Sequence, residues 1–215
     1  MDRPRIRVVL VDDHAMVRQA LCSTLEDSPD IEVVGQAADR QHAREVLRET
    51  CPDVLVLDYS IPGGGAMQVI DEVVAQGLQT RILVLTVHAS IHYAVKVLEA
   101  GACGFMVKSS SIDELIKAIR KVHRDDFYVA PQFNRAVIAH LRRPKSQRVG
   151  LDALSSREFE LLHHLAQGKS LTATAEALGV STSTVSTYRT RCLAKLNLNT
   201  TAELIRFALE NDVVG

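Results

Sequence analysis

Apolar positions in the first 124 residues follow two alternating rhythms. Short apolar runs at Ile6 to Val11, Ile31 to Val34, Val54 to Leu57, Ile82 to Leu85 and Gly104 to Val107 are separated by stretches where apolar residues recur at helical spacing. The runs predict strands, the spaced stretches amphipathic helices, and the alternation a doubly wound parallel sheet of five β/α units. Strands one, three, four and five are nearly all apolar, as expected when both faces are covered. The helix stripes are Met16, Val17, Leu21 and Leu25; Ala43, Val46 and Leu47 behind a capping Asp39; Ile70, Val73 and Val74 after the loop Pro62-Gly63-Gly64-Gly65; Ile91, Ala94, Val95 and Leu98, stopping at Gly101; and Ile112, Leu115, Ile116 and Ile119. Ser111 and Glu114 form a capping-box pattern before the last stripe.

The rhythm changes after residue 124. Residues 125–150 read as a linker, with a short helix at 132–141 and the basic, proline-broken run Arg142-Arg143-Pro144-Lys145-Ser146-Gln147-Arg148. From 151 onward only helical patterns remain. Ser155 caps the first, with Glu158 at the capping-box position and Phe159, Leu162 and Leu165 inward. A short helix (Leu171, Ala175, Leu178) turns at Gly179 into a third from about Thr182 to Leu196, and a fourth starts near Thr200 with Leu204, Ile205 and Ala208. Two helices joined by a tight glycine turn, the second rich in small polar residues, predict a helix-turn-helix within a four-helix all-α domain, 151–215.

The 215 residues carry a net charge of −1 and are 47% hydrophobic, which suits two small domains with real cores and excludes a globally basic chain. No eighteen-residue apolar stretch predicts a membrane span. Met1 to Arg7 is charged and runs into a strand pattern, unlike a signal peptide, so the expected location is cytoplasmic. The four cysteines are scattered without C-x-x-C spacing, as buried thiols of a reducing compartment are, and the adjacent His163 and His164 point to different faces.

The strand ends carry the candidate chemistry. Asp12 and Asp13 follow the first run, Asp58 the third, Thr86 the fourth and Lys108 the fifth. Parallel strands of such a sheet present their C-terminal ends at one edge, where ligands bind. Three carboxylates, a hydroxyl and a cation converging there suit magnesium-dependent phosphoryl acceptance: Mg²⁺ takes oxygen ligands, and phosphoryl transfer needs positioning and charge neutralisation.

The chain resembles bacterial two-component response regulators of the NarL/FixJ type along essentially its whole length. The resemblance rests on Val11-Asp12-Asp13-His14, Leu57-Asp58-Tyr59-Ser60-Ile61-Pro62-Gly63, Leu85-Thr86 and Gly101-Ala102-Cys103-Gly104-Phe105-Met106-Val107-Lys108. In the C-terminal half it rests on Leu154-Ser155-Ser156-Arg157-Glu158, Val180-Ser181, Thr184-Val185-Ser186-Thr187-Tyr188-Arg189 and Lys195-Leu196. It implies a flavodoxin-like receiver domain, 1–124, with strand order 2-1-3-4-5, and a LuxR-type DNA-binding domain. It implies that Asp58 accepts a phosphoryl group from a sensor histidine kinase. Mg²⁺ is then held by Asp13, Asp58 and the backbone carbonyl of Ser60, with Asp12 assisting. Thr86 swings toward the new phosphate and Phe105 follows; Phe105 stands where many receivers carry tyrosine, so no ring hydroxyl takes part. Ala66 replaces a common glycine, and Thr174 an aliphatic residue, which points to a slightly less stable output domain. Tyr59 and His88 flank the site, with His88 expected to tune the phosphoaspartate lifetime.

On the third output helix, Val185, Tyr188, Cys192 and Leu196 share one face, which packs inward. Ser183, Thr187, Thr190 and Ala194 lie opposite, suited to base edges, and Thr184, Arg191 and Lys195 flank them toward phosphates. Ser186 lies on the border and is a base-contact candidate by resemblance. Arg189 sits nearer the core and is a salt-bridge candidate. One such helix reads few base pairs, so the expected partners are double-stranded promoter DNA and a second copy of the chain, joined under phosphorylation; RNA polymerase is a further partner left open. Two competing readings remain. A phosphorylation-independent regulator conflicts with the full acidic set. An aspartyl-nucleophile phosphatase conflicts with Ser60, which stands where such enzymes carry an acid/base Asp; no turnover enzyme is expected.

Overall fold

The computed structural model describes residues 4–62, 65–88, 90–124, 126–211 and 213, so Gly63 and Gly64 of the glycine loop and Asp125 of the domain-end pair lie outside the described residues. Contacts divide the chain into two compact units, Met1–Ala89 with Val97–Gln132, and Ser90–Lys96 with Phe133–Gly215.

The first unit alternates β1 (Ile6–Val11), α1 (Ala15–Glu26), β2 (Ile31–Ala37), α2 (Arg40–Thr50), β3 (Val54–Asp58), α3 (Gly65–Ala75), β4 (Arg81–Thr86), α4 (Ile91–Ala100), β5 (Gly104–Val107) and α5 (Ile112–His123), with part of α4 grouped in the second unit. The expected order 2-1-3-4-5 is extended by one strand. β6 (Tyr128–Val129) pairs parallel with β5, Gly104 against Tyr128 and Phe105 against Val129, giving order β2-β1-β3-β4-β5-β6. The prediction of five strands missed it because two residues are too few for a period.

Alternation sorts β-strand side chains to two faces. Val8, Leu10, Val54, Val56, Leu83, Leu85 and Met106 join Leu25 of α1 and Leu115, Ala118, Ile119 and Val122 of α5 in one core. Val9, Val11, Leu55, Leu57, Val84 and Phe105, on the alternate positions, are equally buried. Gly35 on β2 is required by close packing, since a Cβ there would lie 2.4 Å from Val46 Cγ1 of α2. Asp39 accepts from His42 N–H and caps α2. Ser111 caps α5 through Glu114 N–H, but only this half of the expected box forms. The α1 stripe is also narrower than expected: Leu25 is buried, whereas Met16 is 86% exposed. Met16 is the second residue of α1, at the sheet's ligand edge, where its side chain stays open to solvent.

The second unit contains α6 (Pro131–Leu141, from Phe133 onward), two short 3₁₀ turns, α7 (Ser156–Ala166), α8 (Leu171–Leu178), α9 (Thr182–Leu196) and α10 (Thr201–Glu210). α9 packs against α7, α8 and α10. Its core joins Phe159, Leu161, Leu162, Leu178, Val185, Cys192, Leu204 and Ala208. Full capping boxes start α7 (Ser155, Glu158) and α10 (Thr200, Glu203). Gly179, at φ 61°, makes the turn between α8 and α9. No helix among the described residues is long and apolar enough to cross a membrane.

Candidate functional site

β1 and β3 are adjacent and in register, Val11 against Leu57, so Asp12 and Asp58 leave the sheet side by side. Asp12, Asp13, His14 and Asp58 each offer a ligand atom, all within 4.8 Å of one another. Asp12 and Asp58 are each 3% exposed, and Asp13 is exposed. Lys108 reaches across from β5, with Nζ 2.7 Å from Asp12 Oδ2 and 2.8 Å from Asp58 Oδ2. Its bond to Asp12 has hydrogen-bond geometry; its approach to Asp58 is an ion pair by distance only, and Asp58 Oδ2 is buried without a hydrogen bond.

Burial, aided by the Asp12 charge, pushes the Asp58 carboxyl above its usual range against the opposing pull of Lys108 and the Ser60 backbone. Burial pulls Lys108 down, but its two carboxylate partners outweigh that and hold it above the ordinary lysine value. One lysine ammonium, on Asp12 and Asp58, stands against three clustered carboxylates. This excess negative charge and the unmet Asp58 oxygen fit a hard divalent cation, which Asp12, Asp13 and Asp58 could hold, with Ser60 two residues after Asp58.

Thr86 ends β4, is 1% exposed and accepts from His88 N–H at 3.1 Å. Phe105 is fully buried and lies on the Thr86 face of the sheet, one pair back, since Val84 pairs with Phe105 and Thr86 with Val107. Tyr59 is buried at 6%. Burial lowers the His88 imidazole, opposed by the Asp58 charge, which puts His88 electrostatically in the site. Two contacts escaped the sequence reading. His14 Nδ1 lies 2.7 Å from Asp13 Oδ1, and Arg18 donates to the Asp12 carbonyl at 2.6 Å. Only their places, one and five residues after the Asp pair, hinted at this.

In α9, Val185 and Cys192 are fully buried and Tyr188 and Leu196 partly so, the face expected to pack inward. Ser183, Ser186, Thr187, Thr190, Arg191 and Ala194 are exposed and Thr184 is half-buried. Thr187 and Thr190 donate to the Ser183 and Ser186 carbonyls, leaving their oxygens as acceptors outward. Ser181 caps α9 through Thr184 N–H, and no acid sits in its first turn. Two side chains of α9 have partners that the sequence did not show. Lys195 is exposed and its Nζ is 2.6 Å from Glu158 Oε2 of α7. Arg189, a salt-bridge candidate, reaches the Thr201 hydroxyl at 3.5 Å.

Comparison with known proteins agrees with this division. Residues 8–120 match the response regulator receiver domain, and residues 152–208 the bacterial regulatory proteins of the luxR family. The response regulator UvrY of Escherichia coli is 32% identical over 96% of this chain and 94% of its own. The oxygen regulatory protein NreC of Staphylococcus carnosus is 33% identical over 97% and 99%. The structure of RcsB from Salmonella enterica serovar Typhimurium bound to promoter rprA, with the phosphomimetic BeF3-, has the same fold: TM-score 0.72, 23% identity, 94% of this chain and 98% of that one. The chain therefore belongs to the response regulators of the NarL/FixJ type, with a receiver domain and a LuxR-type DNA-binding domain.

Proposed function

We propose that Asp58 is the phosphoacceptor of a two-component system, that a sensor histidine kinase is the donor, and that the output helix α9 reads promoter DNA as part of a homodimer. The observation that carries this reading is the convergence of Asp12, Asp13 and Asp58 within 4.8 Å, with Lys108 on two of them. The receiver is 1–124, the DNA-binding domain 151–215, and 125–150 links them.

Asp58 supplies the attacking carboxylate oxygen, which forms the new P–O bond as the P–N bond of the kinase phosphohistidine breaks and the imidazole leaves. Asp58 Oδ2 is paired by distance with Lys108 Nζ, 2.8 Å away, the cation that the incoming phosphoryl oxygens would also meet. Mg²⁺, when bound, would supply charge neutralisation for the phosphoryl oxygens. Asp12, Asp13, Asp58 and the Ser60 carbonyl would hold that ion, and Lys108 would bind the phosphoryl oxygens. The Thr86 hydroxyl, now accepting from His88 N–H, turns to donate to the phosphate. Phe105, on the same sheet face, fills the space that Thr86 vacates. The acyl phosphate carries about −2 in place of the carboxylate's −1, and the added charge repels Asp12 and Asp13 unless the cations stay. Ser60 offers no carboxyl for hydrolysis, so the acyl phosphate persists as a signal rather than turning over.

In α9, Ser183, Ser186, Thr187 and Thr190 face the major groove, while Thr184, Arg191 and the helix N-terminus meet phosphates. Lys195 joins them only by leaving Glu158. One helix covers few base pairs, so two copies bind half-sites about 10 base pairs apart or a multiple of that. The solved RcsB complex with promoter rprA supports DNA as the ligand. Labelling by a small-molecule phosphodonor with Mg²⁺, abolished in Asp58→Asn, tests the receiver assignment. Labelling that survives the substitution overturns it.

A further inference from the structure

We infer that His14 makes the receiver's cation site a mixed oxygen–nitrogen site, which selects a first-row transition ion such as Mn²⁺ over Mg²⁺. This rests on the acidic set being the cation site, and goes beyond it in assigning a nitrogen donor. His14 Nδ1 lies 2.7 Å from Asp13 Oδ1 and 3.3 Å from Asp12 Oδ1. Adjacent ligands of an octahedral ion with bonds of about 2.1 Å stand about 3 Å apart, so both separations suit edges of one coordination polyhedron.

The turn that carries the imidazole is fixed by backbone bonds. His14 N–H donates to Asp12 Oδ1 at 2.8 Å, and His14 sits in extended backbone just before α1, where its side chain makes no capping bond. The Arg18 bond to the Asp12 carbonyl fixes the same turn from inside α1. The His14 side chain is 65% exposed, so an ion can enter without rearrangement of the core. Mg²⁺ gains little from an imidazole, because it prefers oxygen and keeps its water. Mn²⁺ and the ions after it in the divalent series gain more.

The test uses the full chain and the bare ions. Titration with Mn²⁺ and Mg²⁺, followed by Tyr or metal signals, gives the ratio of the two affinities. Pulsed electron paramagnetic resonance of the Mn²⁺ complex reads any ¹⁴N coupling directly. The expected result is a histidine-type ¹⁴N coupling that disappears in His14→Ala, with the Mn²⁺-over-Mg²⁺ preference falling about tenfold, as loss of a supporting or direct ligand costs. No ¹⁴N coupling, or a preference unchanged in His14→Ala, overturns the inference. A parallel Mg²⁺-dependent phosphodonor labelling of wild-type protein separates the two levels: labelling without nitrogen ligation removes only His14, whereas no labelling and no binding of either ion removes the cation site itself.

Discussion

Asp58 in the first unit and Glu158 in the second are both carboxylates with almost no exposure, 3% and 2%, and each faces a lysine ammonium, at 2.8 and 2.6 Å. Their surroundings differ in how many partners each ion has. Glu158 Oε2 accepts from Lys195 and from Ser155 N–H, and its own N–H donates to the Ser155 hydroxyl. Burial pushes Glu158 up, but Lys195 and the Ser155 backbone outweigh burial and hold it below the usual glutamate range. At Asp58 burial wins, because Lys108 is shared with Asp12 and the neighbouring Asp12 charge adds to the penalty. A satisfied carboxylate fastens a helix start; an unsatisfied one among like charges is a place kept for a ligand. The family match to a receiver domain falls on the unsatisfied one.

The largest effect that sharpens this contrast comes from Glu158→Ala. It removes the side-chain half of the α7 capping box, Ser155 N–H to the Glu158 carboxylate, while the backbone N–H of residue 158 keeps its bond to the Ser155 hydroxyl. It also takes away the carboxylate partner of Lys195, at a total cost of about 2 kcal/mol to the second unit. Urea unfolding of wild type and variant measures it, and a loss under about 1 kcal/mol erases the distinction. The same bond predicts a pH dependence. The folded value of Glu158 is depressed, so its contribution is complete above the unfolded glutamate value, about 4.3, and is lost as pH falls through the lower folded value. The stability gap between wild type and Glu158→Gln therefore closes below about pH 4; a gap that widens there reverses the sign assigned to this group.

Asp58→Asn acts in the opposite direction. In metal-free buffer it removes one charge from a crowded, desolvated set, while Lys108 keeps Asp12, so the variant gains about 1 kcal/mol over wild type. Adding Mg²⁺ reverses the order, since an ion that binds only the folded state stabilises the protein whose ligands are complete. Thermal melts with and without Mg²⁺ check both halves. A destabilised metal-free variant would show that Asp58 is a satisfied structural carboxylate like Glu158.

The sheet and both carboxylates were legible in the sequence for different reasons. The apolar runs and the acidic residues that close them are local patterns, and parallel connectivity then brings Asp12, Asp58, Thr86 and Lys108 to one edge. The Ser155–Glu158 box is also local and formed in full. The Lys195–Glu158 pair joins residues 37 positions apart on two packed helices, and no spacing rule encodes it, so Lys195 was read only as a groove-flanking cation. Met16 shows the converse limit: helical periodicity marks a candidate face, but what covers that face is decided by neighbouring elements, and here nothing buries it. β6 owes its place to pairing with the last strand rather than to any pattern of its own.

Thr174 extends the comparison to a buried polar group that has neither kind of partner. Its side chain is fully buried in α8, and its hydroxyl has no hydrogen bond. Unlike the Asp58 oxygen, which stands beside the Lys108 ammonium, it lies on the buried side of α8 with Ala175 and Leu178. A desolvated hydroxyl costs about 1 kcal/mol or more when unpaired, and valine has nearly the same shape. Thr174→Val should therefore raise the stability of the second unit by about 1 kcal/mol and leave phosphodonor labelling at Asp58 unchanged. Denaturant midpoints measure the first and labelling the second. A loss of stability would mean that the hydroxyl has a water or backbone partner, and would place Thr174 with Glu158 among the satisfied groups.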